Sequence, residues 1–292
     1  MLKHFFYFFF TAIFSTSCLS QNYEFYGIIK LHGKKENAIS YKLVFTEKNG
    51  KVNGYSITDL TGEHETKNII SGTYDAKSKS LSIKEKDIVY TKSKISDDLF
   101  CFVNLQSQIK LTANKHKMEG SFKGMFKNNT KCIDGTFELV GTATVEKLLN
   151  KVNKHVQKSK KFDEQEKTKY NPVTIFDSLQ THQLEANQNL NIFTTTKNIL
   201  FEIWDNNLED GDEINLYHNN EMILSKYKVS KDKKIFKVAL KEKDNIFKIE
   251  AVNQGKHGLN TAMVSVVGDN SVSFLSNLKA LETTSVSIIR SN

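Results

Sequence analysis

The densest chemistry in this chain lies in nine consecutive residues. Asp205-Asn206-Asn207-Leu208-Glu209-Asp210-Gly211-Asp212-Glu213 holds five carboxylates and two side-chain amides. Calcium takes about six to eight oxygen ligands from such groups, and an oxygen-rich loop can supply them. Asp205, Asp210 and Asp212 are the ligands this spacing offers best. The stretch is no EF-hand, because its flanks read as strands and its ligand spacing differs. The other reading is a turn, in which Asp and Asn side chains bond backbone amides and Gly211 takes a positive φ. Calcium is the one cofactor the sequence suggests, and both readings stand at this point.

Two further groupings carry chemistry. Cys101 and Cys132 lie in segments that read as strands or strand edges, Leu99-Phe100-Cys101-Phe102-Val103 and Cys132-Ile133-Asp134-Gly135. In an oxidising compartment this pair forms a disulfide, expected as a staple between antiparallel strands; two separate buried thiols are the alternative. No C-x-x-C spacing points to zinc. Gly62-Glu63-His64-Glu65 sets a histidine between two acids, in a segment that reads as an exposed hairpin loop. His218 and His257 join the acidic stretch only if the fold brings them there. G-x-S-x-G, H-E-x-x-H, the phosphate-binding loop and G-x-G-x-x-G are all missing from the sequence.

The elements that must position these residues fall into three textures. Residues 21–143 form short alternating runs such as Tyr23, Phe25, Gly27, Ile29 and Ile39, Tyr41, Leu43, Phe45, with an Asn49-Gly50 hairpin signal between two of them. Many short strands with regular turns predict an antiparallel barrel or sandwich, and glycines inside the strands suit a tightly curved sheet. Such a barrel either holds an apolar ligand or is filled by its own side chains. Residues 144–171 read as a short helix, with Val145, Leu148, Leu149, Val152 and Val156 on one face and lysines on the other, fading into a charged linker. Residues 172–292 show about seven alternating runs in a length that suits an immunoglobulin-like β-sandwich. The fold class expected is therefore all-β.

The order Trp204-Asp205, Glu209-Asp210-Gly211-Asp212-Glu213-Ile214, Ala251-Val252-Asn253-Gln254-Gly255 and Asn260-Thr261-Ala262 resembles a β-sandwich module of uncharacterised bacterial exported proteins. The resemblance covers about the last 110 residues of the sequence. It implies an accessory domain with no named activity, in which Asn253 and Asn260 bond loop backbone. The first domain is lipocalin-like in texture alone.

Compartment and partners follow from the ends and the charge. Met1-Leu2-Lys3-His4, the apolar run Phe5–Phe14 and the small residues Ser15–Ser20 match a secretory signal peptide over residues 1–20. Cleavage after Ser20 is one outcome; lipidation at Cys18, as a membrane anchor, is the other. No later stretch is apolar enough to span a bilayer. The net charge is +8, yet the sequence has a single arginine, Arg290, and its lysines alternate with polar residues, which argues against nucleic acid. Residues 173–292 carry 13 basic and 15 acidic side chains, so the positive excess lies before them. The expectation is an exported, non-catalytic binding or accessory protein of the bacterial envelope, in the periplasm, at the outer-membrane surface or secreted. A hydrolase of envelope or extracellular polymer and a structural piece of an envelope assembly are the alternatives.

Overall fold

The structure is a computed structural model that describes residues 21–33, 38–94, 97–111, 117–169, 171–173, 176, 182–206, 209–256 and 258–290. Residues 1–20, with Cys18 and Ser20, and also Asn207, Leu208 and His257, lie outside the described residues.

The alternating runs of the first region become eight strands. These are β1 (Gln21–Leu31), β2 (Ala38–Lys48), β3 (Lys51–Thr58), β4 (Thr66–Asp75), β5 (Ser80–Thr91), β6 (Phe102–Gln108), β7 (Lys117–Met125) and β8 (Lys131–Gly141). Each pairs antiparallel with the next, and β8 returns to β1, closing an up-and-down barrel. The Asn49-Gly50 turn has positive φ at both residues, 54° and 78°, the condition of the two-residue hairpin turn that matches strand twist.

Period two decides what fills the barrel. Tyr23, Phe25, Tyr41, Leu43, Phe45, Ile83, Leu105, Phe122 and Phe137 point inward and form one core. Tyr23 and Phe25 both stack on Phe45, with centroids 5.2 and 6.1 Å away. Gly120 stands opposite Phe137 and Phe122 opposite Gly135, so each ring lies over a glycine on the neighbouring strand, where a Cβ would collide with it.

The second region starts with helix α1 (Thr142–Lys158), two residues earlier than the sequence suggested, and a short helix α2 (Glu164–Lys169) lies within the charged linker. The apolar stripe of α1 stays on the surface: Leu148 is 55% and Val152 50% exposed. No helix among the described residues is long and apolar enough to cross a membrane.

The third region is a two-sheet sandwich. Its strands are β9 (Gln183–Leu184), β10 (Asn189–Thr194), β11 (Asn198–Trp204), β12 (Glu213–His218), β13 (Glu221–Lys228), β14 (Lys234–Ala239), β15 (Asp244–Ala251), β16 (Asn260–Val267), β17 (Ser271–Leu278) and β18 (Thr283–Arg290). One sheet runs β13-β12-β15-β18-β10 and the other β14-β11-β16-β17-β9. Ten strands replace the expected seven, and β9–β17 and β10–β18 pair parallel. Apolar packing fills the space between these sheets: Phe201 stacks on Phe247 at 4.4 Å, and Phe274, Leu216, Ile249 and Ile288 are fully buried. Each such side chain contributes about 1.5–3 kcal/mol of transfer free energy.

One sheet runs through both regions. β5 pairs with β6 only from Ser80–Gln108 to Lys84–Asn104, and its far end pairs with β10 at Tyr90–Ile192 and Thr91–Asn191. Between these contacts two bulges interrupt the β4–β5 register, around Lys86 and around Val89, and a bulge bends the strand that carries it. Val89 and Tyr90 consequently belong to the sandwich core.

Cys101 and Cys132 are joined in a disulfide, with Cα atoms 6.1 Å apart. Cys101 immediately precedes β6 and Cys132 is the second residue of β8, so the bridge joins two strands of like direction across β7, not two antiparallel neighbours. It passes over Gly124, where a Cβ would collide with both sulfurs. Closing a loop with a sequence separation of 31 restricts the unfolded chain by about 3–4 kcal/mol in the loop-entropy view. Cys101→Ser/Cys132→Ser is expected to lose a stability of that order in urea unfolding, with the barrel still formed by circular dichroism.

Candidate functional site

The barrel is packed at one end and open at the other. A cavity of about 710 Å³ lies at the open end, where Ile39, Thr58, Asn68, Glu85 and Phe102 of the barrel meet Asn187, Gln188 and Asn189 of the sandwich. A hollow at a junction between two structural units, with apolar walls and a few convergent polar groups, is the usual form of a small-molecule site. Ile39, Phe100 and Phe102 supply the apolar wall, and Lys92, Ser93, Lys94 and Cys101 lie along the rim.

Glu85 is the floor. It continues the inward series Leu81, Ile83, Glu85 on β5, at the last position before the bulge at Lys86. Its Oε1 accepts from the hydroxyls of Tyr41 at 2.8 Å and Ser56 at 2.5 Å, and its Oε2 accepts from the backbone N–H of Val103 at 2.7 Å. Val103 adjoins the last β5–β6 pair, so the carboxylate takes an N–H that the departing β5 backbone no longer meets. Burial pushes the Glu85 carboxyl above its ordinary pKa despite the bonds from Ser56, Val103, Tyr41 and Asn68, each of which favours the charged form. Burial and then the charge of Glu85 push the Tyr41 hydroxyl far upward.

Asn68 stands beside this network. Its side-chain Oδ1 is buried and has no hydrogen-bond partner among the described residues. A buried acceptor left without a donor costs about 1–3 kcal/mol, and a ligand donor reaching the floor would recover part of that.

At the rim, His64 Nδ1 and Ser93 Oγ are 3.2 Å apart, and the backbone N–H of His64 donates to Asp59. The neighbouring acid Glu65 turns away from the cavity and is buried. Its Oε1 lies 2.6 Å from His182 Nδ1 and accepts from the Tyr90 hydroxyl at 2.8 Å, while its Oε2 accepts from the N–H of Thr61. Burial raises the Glu65 pKa, but the bond and charge of His182, with Lys92 and Tyr90, outweigh it and hold the carboxyl below its usual range. The ring of Tyr90 lies 4.6 Å from that of His182, so this cluster fastens the sandwich to the barrel beside the cavity.

The carboxylates of the acidic stretch, Asp205, Glu209, Asp210, Asp212 and Glu213, are elsewhere, at the end of the sandwich. Asp212 is buried, and its Oδ1 accepts from the N–H of Gly255 at 2.9 Å. Its Oδ2 accepts from the N–H and hydroxyl of Thr261 at 2.7 and 3.2 Å. Burial and then the charge of Asp210 raise its pKa, against the opposing backbone bonds. Asp205 is also buried, and the Asp210 carboxylate packs against Gly255. Asn253 bridges the Glu213 N–H and the Gly211 carbonyl, and Asn260 donates to the Glu213 carbonyl. These bonds are turn chemistry. Among the described residues no three His, Cys, Asp or Glu side chains converge as a metal site. His218 lies at the far end of β12, roughly 16 Å from the acidic stretch at ~3.3 Å per residue, and stacks on Phe247.

Glu85 and Asn68 are the functional candidates that motif searching passes over, because they belong to no motif. The signal for Glu85 is present in the alternation that also marks Leu81 and Ile83 as inward.

Two outcomes follow. Because folding raises the pKa of Glu85, the folded chain holds more protons than the unfolded one between the ordinary value of 4.5 and the raised one. The contribution of this group is then greatest below the ordinary value and falls as pH rises through that window. The urea-unfolding stability of wild type minus Glu85→Gln is expected to decline with rising pH there, and a flat difference would remove the assignment. Asp212→Ala, which strands two backbone N–H groups, is expected to lose about 2–4 kcal/mol, equally in calcium and in EDTA.

No protein-family model, curated protein or solved structure matches this chain.

Proposed function

We propose that this chain is an exported, non-catalytic binding or accessory protein of a bacterial envelope, and that it takes its ligand in the barrel mouth. One observation carries this reading: the cavity of about 710 Å³ combines an apolar wall with a buried, unbonded acceptor, Asn68 Oδ1, at its floor. The ligand it fits is a small amphipathic molecule, with its apolar body against Ile39, Phe100 and Phe102 and a hydroxyl or amide donor turned to Asn68. Export is supported by the basic start and apolar run of residues 1–20 and by the Cys101–Cys132 disulfide, which suits an oxidising compartment.

A second reading rests on Ser93 and His64. A hydroxyl 3.2 Å from an imidazole nitrogen at a cavity rim is half of a nucleophile–base arrangement, as a hydrolase of envelope or extracellular polymer would require. No carboxylate side chain is hydrogen-bonded to the His64 ring among the described residues, which favours binding over catalysis.

The test uses the apolar fluorescent probe 1-anilinonaphthalene-8-sulfonate with the mature protein. Binding at a single saturable site is expected, abolished by Thr58→Trp or Ile39→Trp, each of which places a ring in the mouth. The thermal midpoint of each variant shows whether it is folded. Equal binding by wild type and by both folded variants would overturn the reading. A covalent adduct on Ser93 after fluorophosphonate treatment would transfer the site to the hydrolase reading.

A further inference from the structure

The barrel has a second hollow on its outside. A depression of about 540 Å³ lies over β5, β6 and β7. Strand register builds it: Lys84 faces Asn104, which faces Lys123, and in the next outward row Ser82 faces Gln106, which faces Ser121. These side chains point outward because Ile83, Leu105 and Phe122 between them fill the barrel. The depression is deep because β5 draws away from β6 beyond Lys84, so the wall is split there.

Its charge is distinctive. Lys84, Lys86 and Lys123 are exposed, and none of them pairs with a carboxylate among the described residues. Elsewhere on the barrel Lys30, Lys42, Lys117 and Lys131 each hold one. Lys84 and Lys123 flank Asn104 across two strand spacings, roughly 9–10 Å, and Lys86 follows Lys84 on the same strand at ~7 Å. Asp87 is the one exposed carboxylate on the lining, since Glu85 is buried and turned inward. Lys127 lines the same hollow, so four lysines surround it; ammonium groups gathered this way repel one another, and an anion placed among them relieves that repulsion while gaining charge-assisted hydrogen bonds.

We propose that this groove binds an acidic polysaccharide, a chain with repeated carboxylates for the lysines and hydroxyls for the amides and serines between them. The neutral groups decide the class. Ser82, Asn104, Gln106 and Ser121 form two polar rows that donate to and accept from hydroxyls. A nucleic acid would need base stacking and bidentate phosphate contacts. Of the rings on the lining, Phe102 and Phe122 are buried and Phe126 alone is half-buried, which leaves no row of rings for successive bases, and the single arginine, Arg290, lies on β18. This groove opens on the outside of the barrel and shares only Glu85 and Phe102 with the lining of the mouth cavity; the proposal does not rest on the reading of that cavity.

The experiment is calorimetric titration of the mature chain with a size-defined oligogalacturonate, a neutral malto-oligosaccharide of the same length, and oligo-dT. Galacturonate is expected to bind, to weaken as salt is added, and to lose about tenfold or more in Lys84→Glu/Lys123→Glu, the loss of one charge-assisted contact or more. Lys84→Gln/Lys123→Gln, which keeps length and polarity without reversing charge, is expected to show the same direction of loss. Thermal midpoints establish that both variants are folded. Binding that is unchanged in the folded variants, or no binding at low salt, overturns the proposal. Oligo-dT bound as tightly, with the same loss in the variants, overturns the polysaccharide assignment in favour of nucleic acid.

Discussion

β5 belongs to two sheets, and hydrogen bonding limits how that can happen. A strand offers two edges. One edge of β5 is taken by β4 along its whole length, and the other is shared, β6 at the start and β10 at the end. Between those partners β5 crosses from the barrel wall to the sandwich edge, and the bulges near Lys86 and Val89 supply the bend. The crossing leaves Val103 N–H on β6 without a ladder acceptor in a buried place. A buried donor in that position costs about 1–3 kcal/mol unless it is met. The Glu85 carboxylate meets it, and the same carboxylate also holds Tyr41 and Ser56. Glu85 is therefore part of the frame before it is part of any site.

The open half of the barrel follows from that frame. Aromatic and aliphatic side chains fill the levels from Tyr23 and Phe45 to Ile83 and Leu105. At the next level the inward positions are Ser56, Asn68 and Glu85, smaller or polar groups that bond one another and leave space above them. A fully apolar plug would pack better but would strand Val103. Two anchors then hold the opening in shape: the disulfide across β7, and the Glu65–His182–Tyr90 cluster that ties the sandwich beside it. The cavity thus has rigid walls, and a ligand would meet a site already formed.

Much of this frame can be read in the residues. Ile39, Tyr41, Leu43 and Phe45 alternate in sequence and face inward in the barrel, and Asn49-Gly50 forms the hairpin it signals. The cysteines pair, although alternation alone does not tell that β7 would lie between them. Glu85 is harder, because Lys84-Glu85-Lys86-Asp87 has the look of a solvated face, and period two separates its inward member from its outward ones only once the strand is known to continue. β17 was also hidden: Ser271, Ser273 and Ser276 suggest turns, yet Val272, Phe274 and Leu278 fill the sandwich core. The acidic stretch reads ambiguously for a physical reason. A carboxylate that caps backbone amides and one that awaits a cation have the same composition, and the N–H groups that Asp212 caps, those of Gly255 and Thr261, lie some 40 to 50 residues away in sequence.

The two hollows of the barrel are faces of one defect. Glu85 and Phe102 line both the mouth cavity and the outer groove, since both sit where β5 and β6 part. Phe102 is buried between them and lines the hollow that reaches Thr194 and Asp269 of the sandwich as well. Any shift of β5 relative to β6 must change both volumes together, because packed side chains transmit displacement and do not absorb it. Sealing the split with a regular β5–β6 ladder would remove both hollows and would also free β5 from β10, detaching the sandwich edge. The cavities and the joint between the two halves of the chain therefore have a single structural origin, and a variant that alters one of them at Glu85 or Phe102 alters the others.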